Sequence, residues 1–324
     1  MKTNQTRVLV IGAGVSGLTT ALHLLHAGHD VTIYQREPEG ELPHTSRSAY
    51  AMWVPVMSDV DSRVETWANK SLADFLALAT DPNTGVELRE IVKLKPHVEE
   101  PWFANKFAGF RHPHEGEITS DYADAHILQD APIIDPMVYL PWLRQQILTE
   151  GGVFEQKFVQ KLSDVSSEFQ VIVNCTGLGS RELVGDTDLH SERVQVLKIK
   201  PNGVKDVVID DEGVHKRSCI VPHGGQNGYV KIGGVFDGDA QGSEVDPQAT
   251  ADILARARLV MPGFAFEASD VVDVTRAYRP ERSLTRVEKE VLGDGRLVVH
   301  NYGHDGMGYI LSHGIAAEIT GYLA

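Results

Sequence analysis

The chain has 324 residues, 42% hydrophobic and 23% charged, the balance of a globular protein large enough for two domains. With 30 basic against 45 acidic residues its net charge is −15, which repels phosphate backbones and excludes nucleic acid as the expected partner. Two cysteines, Cys175 and Cys219, cannot build a disulfide framework or a zinc finger, and no apolar run of about 18 residues marks a membrane span. A reduced, cytoplasmic setting without membrane contact is expected, and no metal site is.

Val8–Ile11 is a short β-branched apolar run, the pattern of a strand buried on both faces. Gly12-Ala13-Gly14-Val15-Ser16-Gly17 follows, and Leu18, Ala21, Leu22 and Leu25 then recur at helical spacing up to Gly28, read as the helix stop. Val31–Tyr34 is a second strand, so a βαβ unit closes within about 30 residues. Pro38–Ser48 reads as a loop. Thr66–Leu78 reads as a helix, Asn83–Leu94 as a short strand pair, and residues 97–119 as irregular chain. Met137–Leu148 is an amphipathic helix in which Pro141 fits only near a first turn. Gln170–Asn174 is another buried strand. Val194–Ile199, Val207–Ile209, Cys219–Val221 and Tyr229–Gly233 read as strands of an antiparallel sheet. Pro247–Val260 is helical, Arg296–Asn301 a last strand and Ile310–Leu323 a last helix.

This order predicts an α/β (overall α+β) protein. A Rossmann-like nucleotide domain of residues 1–55, 135–190 and 275–324 is interleaved with a substrate domain of 56–134 and 191–274, built on a mixed or antiparallel sheet.

The glycine loop carries the first chemistry. Gly12 permits the tight turn, Gly14 lets a pyrophosphate approach the backbone, and Gly17 lets the helix pack on the strand. The helix N-terminus offers N–H groups and a positive dipole end to the phosphates. A chance glycine-rich turn would lack the flanking strand, helix and second strand. Where an acid normally binds the ribose, the second strand ends in Gln35 and Arg36. Gln35 can bond a ribose without charge. Arg36 either faces a 2′-phosphate, which favours NADP, or is solvated. On this motif alone FAD and NADP both stay open.

Several further segments occur in one order: Met52-Trp53-Val54-Pro55, Tyr139-Leu140-Pro141-Trp142-Leu143, Val173-Asn174-Cys175-Thr176-Gly177, Gly233-Gly234-Val235-Phe236, Tyr278-Arg279-Pro280-Glu281-Arg282 and His300–Gly308. With Val8–Gly17 they resemble the D-amino acid oxidases, FAD enzymes of the glycine oxidase and D-aspartate oxidase group.

The resemblance implies FAD as cofactor. It implies that Thr45 and Ser46 contact phosphates and that Ala51 and Met52 lie near the flavin. Val159 and Cys175-Thr176-Gly177 would line the cofactor channel, and Gly306, Met307, Gly308, Tyr309 and Ile310 would run along the isoalloxazine. Arg279 would pair with the substrate carboxylate, a role that suits a planar guanidinium, with Gly306 and Met52 also bordering the substrate. Arg282 and Arg286 read as members of a structural ion-pair cluster.

The implied reaction is hydride transfer from a D-amino acid to flavin N5 with no side-chain acid or base. The imino acid would hydrolyse to a keto acid and ammonia, and oxygen would yield hydrogen peroxide. The expected partners are thus an amino acid and oxygen, with a homodimer among the open assemblies.

The lid departs from the family. Matching Ile220-Val221-Pro222 puts Cys219 and His215 where substrate-facing tyrosines usually sit. His215, Lys216 and Arg217 either make a basic lid suited to an acidic substrate side chain or form a solvated turn. Asp305 puts an acid beside the flavin strip. These changes keep two alternatives open: an FAD oxidase or dehydrogenase of another amine or N-substituted amino acid in a biosynthetic pathway, and a non-catalytic nucleotide-binding protein.

Overall fold

The computed structural model describes residues 6–36, 38, 45–55, 61–212, 215, 217–224, 228–238 and 244–324. In chain order its strands and helices are β1 (Arg7–Ile11), α1 (Val15–His26), β2 (Asp30–Gln35), α2 (Thr45–Ser48), α3 (Ser62–Leu78), β3 (Val86–Lys95), β4 (Asp124–Ile134), α4 (Pro136–Thr149), β5 (Val153–Gln156) and β6 (Val171–Asn174). There follow α5 (Ser180–Leu183), β7 (His190–Ile199), β8 (Val207–Asp210), β9 (Ser218–His223), β10 (Tyr229–Gly238), α6 (Pro247–Val260), β11 (Val271–Glu281), β12 (Arg286–Val291), β13 (Leu297–Tyr302) and α7 (Gly308–Gly321).

The strands form two sheets, which gives the mixed α/β class that the sequence predicts. One has the order β12-β13-β6-β1-β2-β5 and the other β11-β7-β10-β9-β8-β3-β4. In the first, β1 pairs in parallel with both β2 and β6, which is why Val8, Leu9 and Val10 are all fully buried. Helices α1, α4 and α7 pack together over this sheet, and α3 packs on α7. The second sheet pairs antiparallel except at β3–β8, and α6 covers β9 and β10.

Helix starts are set by local chemistry. Asp61, Asp135 and Asp246 cap α3, α4 and α6, each accepting from backbone N–H groups of the first turn. The N-cap of α1 is Gly14, without any side-chain cap. Met307 at the start of α7 likewise gives no side-chain cap, and a carboxylate at either helix start would repel a phosphate in the cavity described below, which both starts border. At the other end of α1, Gly28 takes a left-handed φ of 88° and ends the helix as expected.

Several local expectations need correction. Asn83–Leu94 is not a strand pair: residues 82–84 form a 3-10 turn, and β3 is one ten-residue strand. Its antiparallel partner is β4, some thirty residues later, a separation that no hairpin signal announces. Pro141 lies well inside α4, where the helix instead begins on Pro136. Its exposed position lets solvent take the carbonyl left without a donor. Strands β5, β11 and β12 were also not expected. They carry exposed or charged residues at many positions and lack a buried apolar run.

Candidate active site

A cavity of about 1160 Å³ opens at the C-terminal ends of β1, β2 and β6 and reaches β7, β8, β9 and β11 of the second sheet. It exceeds the space that a drug-sized ligand needs, and it lies where nucleotide-binding α/β sheets hold their ligands.

The glycine loop forms one wall. Gly12 has φ 110°, and a β-carbon there would overlap the Cys175 carbonyl oxygen. A β-carbon on Gly17 would overlap the Gly12 carbonyl oxygen. Gly17 therefore packs the loop rather than lining the cavity, whereas Gly12, Ala13, Gly14, Val15 and Ser16 line it. Ser46 Oγ accepts from the Val15 N–H at 3.0 Å. Next to it, His304 is buried and held neutral, lowered by desolvation to about 4. His304 Nε2 is 2.8 Å from Asn301 Oδ1, an acceptor, so Nε2 carries the proton and Nδ1 accepts from Ser16 Oγ at 3.3 Å. His304 belongs to the Asn-Tyr-Gly-His segment, but sequence reading gave it no role of its own.

Gln35 and Arg36 both line the cavity. Gln35 Oε1 accepts from Arg144 Nη1 at 3.0 Å, and the Arg36 guanidinium stacks over Phe158 at 4.9 Å. Arg36 is thus neither simply solvated nor committed to a phosphate. Val159, Cys175, Thr176 and Gly177 line the same space. Burial pushes the Cys175 thiol up to about 12, which makes it a packing group and not a nucleophile.

Residues 45–53 form the opposite wall, fastened at several points. Thr45 Oγ1 donates to the Tyr278 carbonyl at 2.7 Å, and Tyr309 donates to the Ser46 carbonyl at 2.9 Å. Buried Lys231 donates to the carbonyls of Arg47 and Ala49 at 2.8 and 2.6 Å. Ala51 and Trp53 bond the backbone of β4, which places Ala51 and Met52 in the lining. From the other side come Gly306, Gly308, Tyr309 and Ile310 at the start of α7. Met307 is buried beneath them and does not line the cavity.

Arg279 lies on β11 where the two sheets approach. Its Nη1 is 3.0 Å from Glu192 Oε2 and its Nη2 is 3.0 Å from Asp305 Oδ1. Asp305 holds this position with a left-handed φ of 49°, which is uncommon for a residue with a side chain. Burial raises the Glu192 carboxyl, opposed by the positive charge of Arg279. A ligand carboxylate must therefore compete with two acids for this guanidinium, a feature that sequence matching did not anticipate.

Cys219 lines the cavity, with its thiol pushed up by burial to about 12. It shares a hydrogen bond with Tyr50, whose hydroxyl pKa is raised by desolvation. Tyr50 lines the same wall and packs on Gly233, so an aromatic hydroxyl is present here but comes from the segment before Ala51. Sequence matching missed it by looking for the tyrosine in the lid.

His215 does not line the cavity. It reaches Asp121 Oδ2 at 3.1 Å and packs edge-on to Tyr122. Lys216 falls outside the described residues. Arg217 lines the cavity but its side chain is half exposed, 3.9 Å from Glu192. The basic lid is therefore not assembled over the cavity by the described residues. Arg282 and Arg286 both meet Asp186, as the structural ion-pair reading expects.

The two glycine approaches, the start of α1 without a side-chain cap and the volume of the cavity fit a dinucleotide. Comparison with known proteins agrees. A D-amino-acid oxidase of Streptomyces coelicolor is 35% identical over 315 residues, covering 96% of this chain and 94% of that protein. One of Rubrobacter xylanophilus is 33% identical over 314 residues, covering 96% and 94%. In fold, the chain is similar to glycine oxidase from Geobacillus kaustophilus, with a TM-score of 0.80 at 18% identity over 98% of this chain and 95% of that one. Among the described residues no helix is long and apolar enough to cross a membrane. Residues 7–322 match the family model described as FAD dependent oxidoreductase, and the chain belongs to that family.

Proposed function

We propose that this chain is an FAD-dependent D-amino-acid oxidase, working in the cytoplasm, that turns its substrate into an imino acid and passes the electrons to oxygen. FAD is the cofactor of the family, which removes the NADP alternative left open by Arg36. Bound FAD supplies the hydride acceptor. The observation that carries the reading is Arg279, an arginine 16% exposed that lines a dinucleotide-sized cavity and is held by Glu192 and Asp305.

In this reading residues 12–16, Thr45 and Ser46 hold the pyrophosphate, Gln35 and Val159 the ribose end, and the first turn of α7 the flavin. The domain division of residues 1–55, 135–190 and 275–324 against the rest follows from the same assignment, and the six-stranded sheet built by the first set supports it. Arg279 anchors the substrate carboxylate by charge-assisted bonds, with the Tyr50 hydroxyl beside it. Met52, Val54, Val196 and Ile209 supply apolar wall that excludes water and fixes the α-carbon. No side chain is assigned as acid or base.

The test is anaerobic mixing of the purified FAD-loaded protein with a panel of D-amino acids and their L-enantiomers. Bleaching of the flavin by D-isomers, and peroxide release in air, are expected. Bleaching by no D-amino acid overturns the reading. Bleaching without peroxide would make the chain a dehydrogenase.

A further inference from the structure

We infer that His23, Asp74 and His313 form a binding site for a divalent transition-metal ion, zinc by its ligand set, which joins α1, α3 and α7. The inference is independent of the substrate reading above. The three residues lie on helices far apart in the chain, so no spacing in the sequence announces them. Each offers one ligand atom, and these atoms all lie within 4.8 Å of one another. His23 Nε2 is 3.1 Å from His313 Nδ1, which is 3.5 Å from Asp74 Oδ2. Ligand atoms about 2.0–2.1 Å from a tetrahedral ion stand about 3.3–3.4 Å apart, so the cluster closes on zinc with little movement.

The ring orientations suit the same ion. His313 Nε2 is 2.8 Å from the Tyr139 hydroxyl, and Phe75 packs edge-on against the His313 ring. With its proton on Nε2, donated to Tyr139, His313 turns the Nδ1 lone pair toward His23 and Asp74. An outer hydrogen-bond partner of this kind fixes the tautomer of a metal-bound histidine. Burial keeps both imidazoles neutral, as ligation requires. Two imidazoles and a carboxylate suit zinc, whereas calcium and magnesium take oxygen ligands. The cluster is open to solvent on one side: the Asp74 side chain is 26% exposed and His23 is partly buried, with buried His313 behind them. That side leaves a fourth position for water. Two contacts compete with the ion. His23 and His313 share a proton, which ligation releases, and Lys70 donates to both carboxylate oxygens of Asp74. Lys70 is itself exposed, one helical turn before Asp74, and such pairs are readily exchanged. An ion here braces two helices, α1 and α7, whose first turns border the cavity.

The experiment is equilibrium dialysis of the FAD-loaded protein, stripped with EDTA, against zinc chloride at neutral pH, with bound zinc measured by atomic emission. One zinc per chain is expected, half-saturated at about 1 µM or below. His23→Gln and Asp74→Asn should each weaken binding about 100-fold or more, since each removes a ligand. Lys70→Gln should tighten binding about threefold, because the lysine competes for Asp74. His97→Gln, at an exposed histidine outside the cluster, should change nothing. Zinc should also raise the melting temperature of the wild type and not that of His23→Gln. No stoichiometric zinc at about 10 µM, ten times the expected constant, overturns the inference. So does equal binding by the wild type and His23→Gln. If neither ligand substitution gives folded protein, the exposed Lys70→Gln decides: tighter binding supports the site and unchanged binding overturns it.

Discussion

Gly306 lies so close to Arg279 that a β-carbon at 306 would overlap the Nη2 atom of the guanidinium. The glycine is therefore part of how Arg279 is aimed. Gly306→Ala must push the guanidinium off Asp305 or shift the start of α7. The expected result is a Michaelis constant raised about tenfold or more, with flavin still bound and a smaller effect on kcat. Steady-state kinetics on a D-amino acid check it, and an unchanged constant would show that the guanidinium is not the anchor.

In the proposed reading a substrate carboxylate competes with Glu192 for Arg279; Glu192 is paired with that guanidinium and its carboxyl is raised by burial. As pH falls through that raised value, Glu192 gains a proton, gives up its charge and frees Arg279 for the substrate. Carboxylate binding should therefore tighten toward lower pH. Glu192→Gln should bind more tightly at neutral pH and lose the dependence. Michaelis constants measured from pH 5 to 8 for both proteins decide this; parallel profiles argue against the competition.

Gly12 combines φ 110° with contact against the Cys175 carbonyl. Gly12→Ala adds backbone strain and a steric overlap at the loop that receives the phosphates. We expect a protein that purifies with little or no flavin and is not restored by added FAD. Absorbance of the purified variant is the measurement.

Stability should fall in mild acid. His304 and His23 are lowered to about 4 and His223 to about 3, each chiefly by burial. The unfolded chain takes up these protons from about pH 6.5 downward while the folded state stays neutral, so stability declines as pH falls from 6.5 toward 4. For fully buried His304 the loss is on the order of 3 kcal/mol. His23 also lies 3.1 Å from His313, which joins α1 to α7, so the loss reaches the helices that frame the cavity. Urea midpoints at pH 7 and pH 5 test this. Equal midpoints would mean that these imidazoles are charged in the fold or exposed to water.

Much of this protein is legible in its sequence. The strand–glycine–helix start, the buried runs at Val8–Ile11 and Val171–Asn174, and the closing helix are local patterns, and each is where expected within a few residues. The Asn-Tyr-Gly-His and Arg-Pro-Glu-Arg segments pointed to the family. β4 and β12 escaped because strands whose partners are distant in sequence, or whose faces carry charge, leave no periodic trace.

The site divides the same way. Sequence alone determined that a dinucleotide-type glycine loop exists, because glycine steric limits are properties of single residues, and the family resemblance pointed to Arg279 as the partner for a substrate carboxylate. Only the tertiary structure decided what surrounds Arg279. It brought Glu192 and Asp305 onto the guanidinium from β7 and the turn before α7. It supplied Tyr50 in place of a lid tyrosine, turned His215 away toward Asp121, and set Asp211 and Glu212 in the cavity wall. The overall charge of −15 excluded a class of partner, but the field felt by a substrate depends on distances between groups far apart in the chain, and those exist only in the fold.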